Sequence, residues 1–305
     1  MNNQRRDFIK NMTLAAASLP TFGKWNTKEF NSYSRIELES YATNWGFRGS
    51  MDDFASKAKA IGYDGIEVWT PQNPTATAAL KDAIAKYDLK LGLLAGNWGS
   101  SFEENLDRFK TSIDKATELN PLFINCHSGK DFYSFEQNSR FIEYTLNVSA
   151  KTGIPIAHET HRGRILYSAP IASYFMDKYE DLKLTLDISH WCCVHESLLT
   201  DQKETVARAL DRSMHVHARV GFPEGPQIPD PKDKQFERAV KAHFEWWDVI
   251  VENHVQAGKK LTMTPEFGPP PYMWTHLESG DAVADNWEVN SGMKSIWASR
   301  YMNSK

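Results

Sequence analysis

From about Arg35 onward, short runs rich in Leu, Ile and Val alternate with longer segments whose apolar residues recur at helical spacing. The short runs predict strands over 36–42, 64–69, 89–95, 121–127, 154–161, 182–188, 213–219 and 260–267. The longer segments predict helices over 51–61, 76–86, 102–118, 134–152, 168–179, 198–210, 236–256 and 284–302. Gly62, Gly153 and Gly258 stand where three of these helices should stop, as cap glycines do. A strand followed by a helix, repeated to the end of the chain, predicts a (β/α)8 TIM barrel in a single domain over residues 31–305. A doubly wound open sheet alternates in the same way, but no Gly-rich dinucleotide turn follows the first strand. The longest irregular piece, Gly221 to Gln235, is rich in Pro and Gly and is expected to be functional, often as a lid.

Side-chain alternation assigns faces to the later strands, because alternate residues of a barrel strand point inward. Leu182, Leu184 and Leu186 share one face, which leaves Asp187 on the other. Val216 opposes His215, His217 and Arg219. The same parity turns Glu266 inward, and it turns Glu159 and His161 inward opposite Ile154 and Ile156. Four strands thus end in an inward metal-type donor, Glu159, Asp187, His217 and Glu266, at the C-terminal end of the barrel, where active sites form. Three carboxylates and one imidazole suit one divalent ion: Mn2+ first, with Mg2+, Co2+ and Zn2+ also compatible. His215 lies one layer deeper and is expected to be a supporting or core residue. His127, His161 and Glu67 end strands and are candidates to touch substrate. Trp45, Trp69, Trp98 and Trp191 follow strands and could stack on a sugar face.

The chain has 305 residues and a formal net charge of -4, which argues against a duplex nucleic acid partner. Its three cysteines, Cys126, Cys192 and Cys193, form neither a disulfide framework nor a thiolate zinc motif. Arg5-Arg6-Asp7-Phe8 followed by a short apolar run to Leu19 resembles a twin-arginine export signal. Residues 1–30 are therefore expected to be signal and linker, and the protein is expected to be periplasmic. No stretch is long and apolar enough to remain in a membrane once the signal is removed. Homo-oligomerisation is left open.

Glu159 in strand five, Leu186-Asp187-Ile188-Ser189-His190 after strand six, His215-Val216-His217 in strand seven and Pro265-Glu266-Phe267 in strand eight together resemble the xylose-isomerase-like family. That family includes sugar phosphate isomerases and epimerases, D-tagatose 3-epimerase and inosose dehydratase. The resemblance spans nearly the whole chain after the signal. It implies that Glu159, Asp187, His217 and Glu266 are the metal ligands and that Glu159 and Glu266 are the acid/base pair. It also implies that His190 and Arg219 contact substrate, while Trp45 is a substrate candidate only as an aromatic just after a strand.

The chemistry expected is enolisation. A carboxylate removes a proton beside a carbonyl, and the metal offsets the negative charge that builds on oxygen. Gly268-Pro269-Pro270-Pro271 after strand eight lacks the amide donors of a phosphate site, so an unphosphorylated sugar or keto-sugar is expected. The alternative is a lyase or dehydratase acting on a 3-keto-glycoside or inosose. Two more distant readings are an endonuclease IV-like nuclease and a carbohydrate-binding barrel without turnover.

Overall fold

Strand β1 (Leu38–Thr43) pairs in parallel with both β2 (Gly65–Trp69) and β8 (Leu261–Thr264), and that double pairing closes the sheet. The computed structural model describes residues 36–302, so the export-signal reading of residues 1–30 lies outside the described residues. Between the closing pair run β3 (Lys90–Gly96), β4 (Phe123–His127), β5 (Ile156–Glu159), β6 (Lys183–Leu186) and β7 (Ser213–His217), each parallel to its neighbours, in the barrel order β1 to β8. The layer outside the strands comprises α1 (Met51–Ile61), α2 (Pro74–Tyr87), α3 (Phe102–Thr117), α4 (Phe135–Thr152), α5 (Ala169–Lys178), α6 (Ile188–Val194), α7 (Lys203–Arg212), α8 (Glu237–Gln256) and α9 (Asn286–Tyr301). No helix among the described residues is long and apolar enough to cross a membrane.

The helix ends follow the local chemistry. Ser50 and Asp53 form a reciprocal capping box on α1, and Ser134 with Gln137 forms one on α4. Gly62 and Gly153 close α1 and α4 in the left-handed region, as the sequence predicted. Two departures matter. A short helix, α6, follows β6 directly, and the helix expected from 198 starts only at Lys203. Strands β5, β6 and β8 stop before or at their candidate ligands, so Asp187, His161 and Glu266 sit on the first residues beyond the sheet.

Inside the barrel the alternation holds, layer by layer. At the N-terminal end Glu39 is buried and tied to Lys90 Nζ at 2.5 Å, Lys260 Nζ at 2.9 Å and Tyr41 Oη at 3.1 Å. Above it Tyr41 and Phe123 meet edge-to-face at 5.1 Å and fill the floor. Two glycines make room for them: a Cβ on Gly65 would lie 2.5 Å from the Tyr41 ring, and one on Gly92 would lie 2.4 Å from Phe123 Cζ. Gly92→Ala is therefore expected to lower the stability to urea by about 1–3 kcal/mol through overpacking. An unchanged midpoint would show that Phe123 can move aside.

The loop after β7 is fastened at its start rather than hinged. Gln227 is buried, and its amide is paired with Gly268 in both directions, Nε2 donating to the carbonyl at 3.1 Å and the Gly268 N–H donating to Oε1 at 2.7 Å. Ile228 N donates to Val220 O at 2.9 Å. Residues 220–228 thus pack as wall, against the expectation of a lid over the whole segment.

Candidate metal centre

Glu159, Asp187, His217 and Glu266 bring one donor atom each to within 4.8 Å of one another, and all four residues are buried. Their convergence follows from the fold: β5 delivers Glu159, β7 delivers His217, and the first turns past β6 and β8 deliver Asp187 and Glu266. His217 Nδ1 lies between the two glutamates, 2.9 Å from Glu266 Oε2 and 3.5 Å from Glu159 Oε2. Two metal–ligand bonds of about 2.0–2.2 Å laid end to end span about the same width, so one ion can reach the whole set.

Oε1 of Glu159 is buried with no hydrogen-bond partner, and Nδ1 of His217 has only Glu266 Oε2, at 2.9 Å, facing it. Leaving such an oxygen unsatisfied is costly, and a cation beside it removes the cost. The tautomer of His217 supports this placement. Its Nε2 faces Glu67, at 3.1 and 3.2 Å from the two carboxylate oxygens, so that nitrogen donates, and once His217 is neutral Nδ1 can offer its lone pair to an ion. Glu159 is fixed from the side by Asn125 Nδ2, which donates to Oε2 at 2.9 Å, and by His127 Nε2 at 2.6 Å from the same oxygen. The donor set therefore fits a single divalent ion.

Asp187 is held by the helix it opens. It is the N-cap of α6 and accepts from the backbone N–H and the hydroxyl of Ser189 at Oδ1. Its Oδ2 accepts from Arg219 Nη2. Each oxygen keeps a further lone pair for an ion. Arg219 is itself buried, contacts His190 Nε2 at 2.7 Å and lies 3.5 Å from Glu266 Oε2. Gly221 lets the backbone pass this corner, since a Cβ there would meet Ser189 O at 2.6 Å.

The electrostatics divide the residues into two sets. Burial opposes a charged imidazolium at His217, but Glu266, Glu67 and Glu159 outweigh it and hold its pKa well above the ordinary value. Burial pushes Asp187 up to about 6, with Arg219 pulling the other way and Glu159 and Glu266 adding to the rise. For Glu159 burial also favours the neutral acid, yet His127 and His217 keep it ionised well below the usual range. At the rim, burial takes His190 well below its ordinary value and His161 down to about 3, the neighbouring positive charges adding to both. Neutral His190 accepts from Arg219 at Nε2, which places its proton on Nδ1, a buried donor with no partner.

Not every expected residue stands where the sequence put it. Glu67 was expected to touch substrate. It is fully buried one layer beneath the donors, where it contacts both His217 and His215 and accepts from Thr264 Oγ1. His215 is indeed in that deeper layer, with Nδ1 at 2.7 Å from Thr262 Oγ1 and its ring 4.3 Å from that of Phe123. Trp191 belongs to the core and donates its indole N–H to Leu166 O at 2.8 Å, so it offers no sugar platform. Three candidates do line the mouth. The rings of His127, His161 and His190 follow one another at 4.8 and 4.0 Å. Trp45 packs edge-to-face on Tyr272 at 4.9 Å, and Arg219 lies over that same tyrosine ring. The sequence reading missed Tyr272 and Asn125. Asn125 could have been found by parity, since it shares the inward face of β4 with His127. Tyr272 follows a proline run with no periodic signal.

Two other groups could hold a metal: Glu67 with His215 and His217, and His127 with Glu159 and His161. Each shares a residue with the four-donor set, so among the described residues these are overlapping versions of one centre.

A closed parallel eight-stranded barrel with its polar cluster at the C-terminal strand ends defines the TIM-barrel class. The chain belongs to the xylose isomerase-like TIM barrel family, whose sequence profile matches residues 55–254. No curated protein sequence matches it. Among solved structures it is similar to a 3-keto-D-glucoside 4-epimerase from E. coli (TM-score 0.55, 14% identity, covering 87% of this chain and 100% of that one). It is also similar to the probable 3-DHS dehydratase of petrobactin synthesis from Bacillus anthracis (TM-score 0.53, 14% identity, 85% and 98% covered). A third similar structure is a family 2 AP endonuclease from Brucella melitensis (TM-score 0.50, 13% identity, 76% and 93% covered). At these identities the likeness concerns the fold.

Proposed function

We propose that the protein is a divalent-metal-dependent isomerase or epimerase that acts through an enediolate on an unphosphorylated sugar or keto-sugar. The observation that carries this reading is the convergence of Glu159, Asp187, His217 and Glu266, with a buried, unpartnered oxygen of Glu159 among them. When bound, the ion supplies a Lewis acid that offsets the charge developing on the substrate's carbonyl oxygen. The residues of the chain supply the rest. Glu159, clamped by Asn125 and His127 through Oε2, is the candidate to take a proton beside the carbonyl. Glu266 follows β8, its side chain is slightly exposed and lies 2.9 Å from His217 Nδ1, and it is the candidate to return the proton. His190, with its unspent Nδ1 proton, and the guanidinium of Arg219 are placed to hold substrate oxygens.

The absence of a phosphate on the substrate is supported by the β8 loop. The amide of Phe267 already donates to Asn290 Oδ1 at 2.7 Å and that of Gly268 to Gln227, and the next three residues are prolines. Manganese is the ion favoured by the mixed oxygen and nitrogen donors. The twin-arginine-like start of the chain supports export to the periplasm.

The test is proton exchange in D2O. The Mn2+-loaded protein is incubated with neutral ketohexoses, inososes and 3-keto-glycosides, and the C–H signal beside the carbonyl is followed by NMR. Metal-dependent loss of that signal is expected, with an epimer or isomer as product. An unsaturated product with a departed group would make the enzyme a lyase instead. Stoichiometric metal with no exchange on any ketone would overturn enolisation.

A further inference from the structure

Three cations at the barrel mouth have no carboxylate of their own. The chain leaves β5 in a tight turn, in which Arg164 N–H donates to His161 O at 3.2 Å and Gly163 takes a φ of +73°. The turn carries Arg162 and Arg164 past the metal donors. The Arg162 guanidinium lies 5.0 Å from the Tyr272 ring centroid, the ring that Arg219 also covers at 4.9 Å, is hydrogen-bonded to the Tyr272 side chain, and approaches Cys193 Sγ at 3.8 Å. Arg164 reaches only the carbonyl of Gly129, at 3.5 Å, and Lys130 follows that glycine. All three are half-buried, and among the described residues none forms an ion pair.

Arg219 by contrast has Asp187 and Arg300 has Asp248 at 2.6 Å, while the part-buried Arg212, Lys115 and Lys294 reach backbone carbonyls instead. Asp131, exposed beside Lys130, acts on Lys130 and Arg164 from a distance and pairs with neither. Burial, and then the charge of Arg164, lower the proton affinity of the Lys130 ammonium, while Arg164 in turn feels Glu159. The cost of holding like charges half out of water is recovered when an anion joins them. Glu67, Asp187 and Glu266 already face His215, His217 and Arg219, and Glu159 faces His127 and His217, so these carboxylates are engaged at the candidate metal centre. The whole chain is acidic, at -4, so this rim is a local exception rather than part of a basic surface.

We propose that Arg162, on the turn that also carries Arg164 toward Lys130, forms an anion subsite at the mouth, and that the substrate is a keto-sugar bearing a carboxylate, a uronate-type compound. The inference rests on the enolisation reading and names its substrate class. A guanidinium meets a carboxylate with two parallel hydrogen bonds, and Arg162, held by Tyr272 and Cys193, has no carboxylate among the described residues. A carboxylate is favoured over a phosphate because the β8-loop amides are already taken.

Calorimetric titration of the Mn2+-loaded protein with D-galacturonate, D-galactose and D-galactose 6-phosphate tests it without turnover. The uronate is expected to bind at least about tenfold more tightly than galactose. Raising salt from about 0.05 to 0.5 M should weaken the uronate alone. Arg162→Gln should bring the two sugars to within about threefold of each other without changing galactose, and Arg162→Lys should keep part of the preference. Should Arg162→Gln fail to fold, Lys130→Gln and the salt series carry the same expectation. Equal binding of uronate and galactose, or a preference that survives in Arg162→Gln combined with Arg164→Gln, would overturn the subsite. Tighter binding of the 6-phosphate than of the uronate would overturn the carboxylate assignment. Binding of none of the three would also overturn it, whereas enolisation is decided separately by exchange on neutral ketones.

Discussion

His217→Ala is expected to abolish stoichiometric metal binding, because it removes the one nitrogen donor and the centre of the site. The three carboxylates that remain would then face one another without the imidazole between them. The effect should extend to the residue that orients this histidine. Glu67→Gln keeps the shape but turns a full carboxylate on Nε2 into an amide, and a loss of about 10–100-fold in metal affinity is expected. The pH dependence has a definite sign. In the metal-free protein His217 is protonated, its pKa raised by the surrounding carboxylates, while Asp187 titrates near 6. The raised His217 contributes stability to the metal-free fold below its unfolded pKa, and that contribution is lost as pH rises through the folded value. An ion needs the opposite state, a neutral His217 and an ionised Asp187, so metal affinity should climb from about pH 6 upward. Calorimetry at pH 7 in two buffers of different ionisation enthalpy should show release of about one proton per metal bound. Element analysis of His217→Ala that still finds one ion per chain would place the metal elsewhere, with His127, Glu159 and His161 the next group to examine.

The four donors were legible because parity and position at a strand end are both written in the sequence. Asp187 opposite three leucines and His217 opposite Val216 needed no tertiary information beyond barrel closure. Depth was legible within one strand, as for His215 below His217, but not between strands. Glu67 has the correct parity, but the stagger between strands sets the layer a residue reaches, and no single strand records it. The short helix α6 was missed for another reason: Ile188, Ser189, His190, Trp191 and Cys192 are all buried, so the segment has no polar face and no amphipathic period. That helix matters to the site, since its N-terminus fixes Asp187 and its body carries His190. His161 faces the mouth through the turn after β5 rather than by strand alternation, and the same turn delivers Arg162, which the pattern of the strand could not place.

Glu159→Gln and Glu266→Gln should each lower turnover by about 10²–10⁴-fold, and the way they do so distinguishes the reactions. Both residues are candidate metal ligands, so each variant must first be shown to carry its ion at saturating Mn2+; glutamine retains an oxygen donor. With equal metal content, the loss belongs to proton transfer. Glu159 lies deeper, side chain fully buried, and is clamped by Asn125 and His127, whereas the Glu266 side chain is slightly exposed and stands across His217 from it. A proton taken by one and returned by the other enters from the opposite face, which is inversion at carbon. An epimerase therefore predicts a split result in D2O. Glu159→Gln should stop loss of the C–H signal from one epimer while the other epimer still exchanges, and Glu266→Gln should show the reverse. If a single variant silences exchange from both epimers while the other leaves it intact, one carboxylate does both transfers, and the product is an isomer. If Glu266→Gln stops the departure of a group but leaves exchange at the adjacent carbon intact, Glu266 is the acid of an elimination, and the enzyme is a lyase. Exchange at the unsubstituted rate in both variants would remove the two glutamates from proton transfer and leave them as ligands alone.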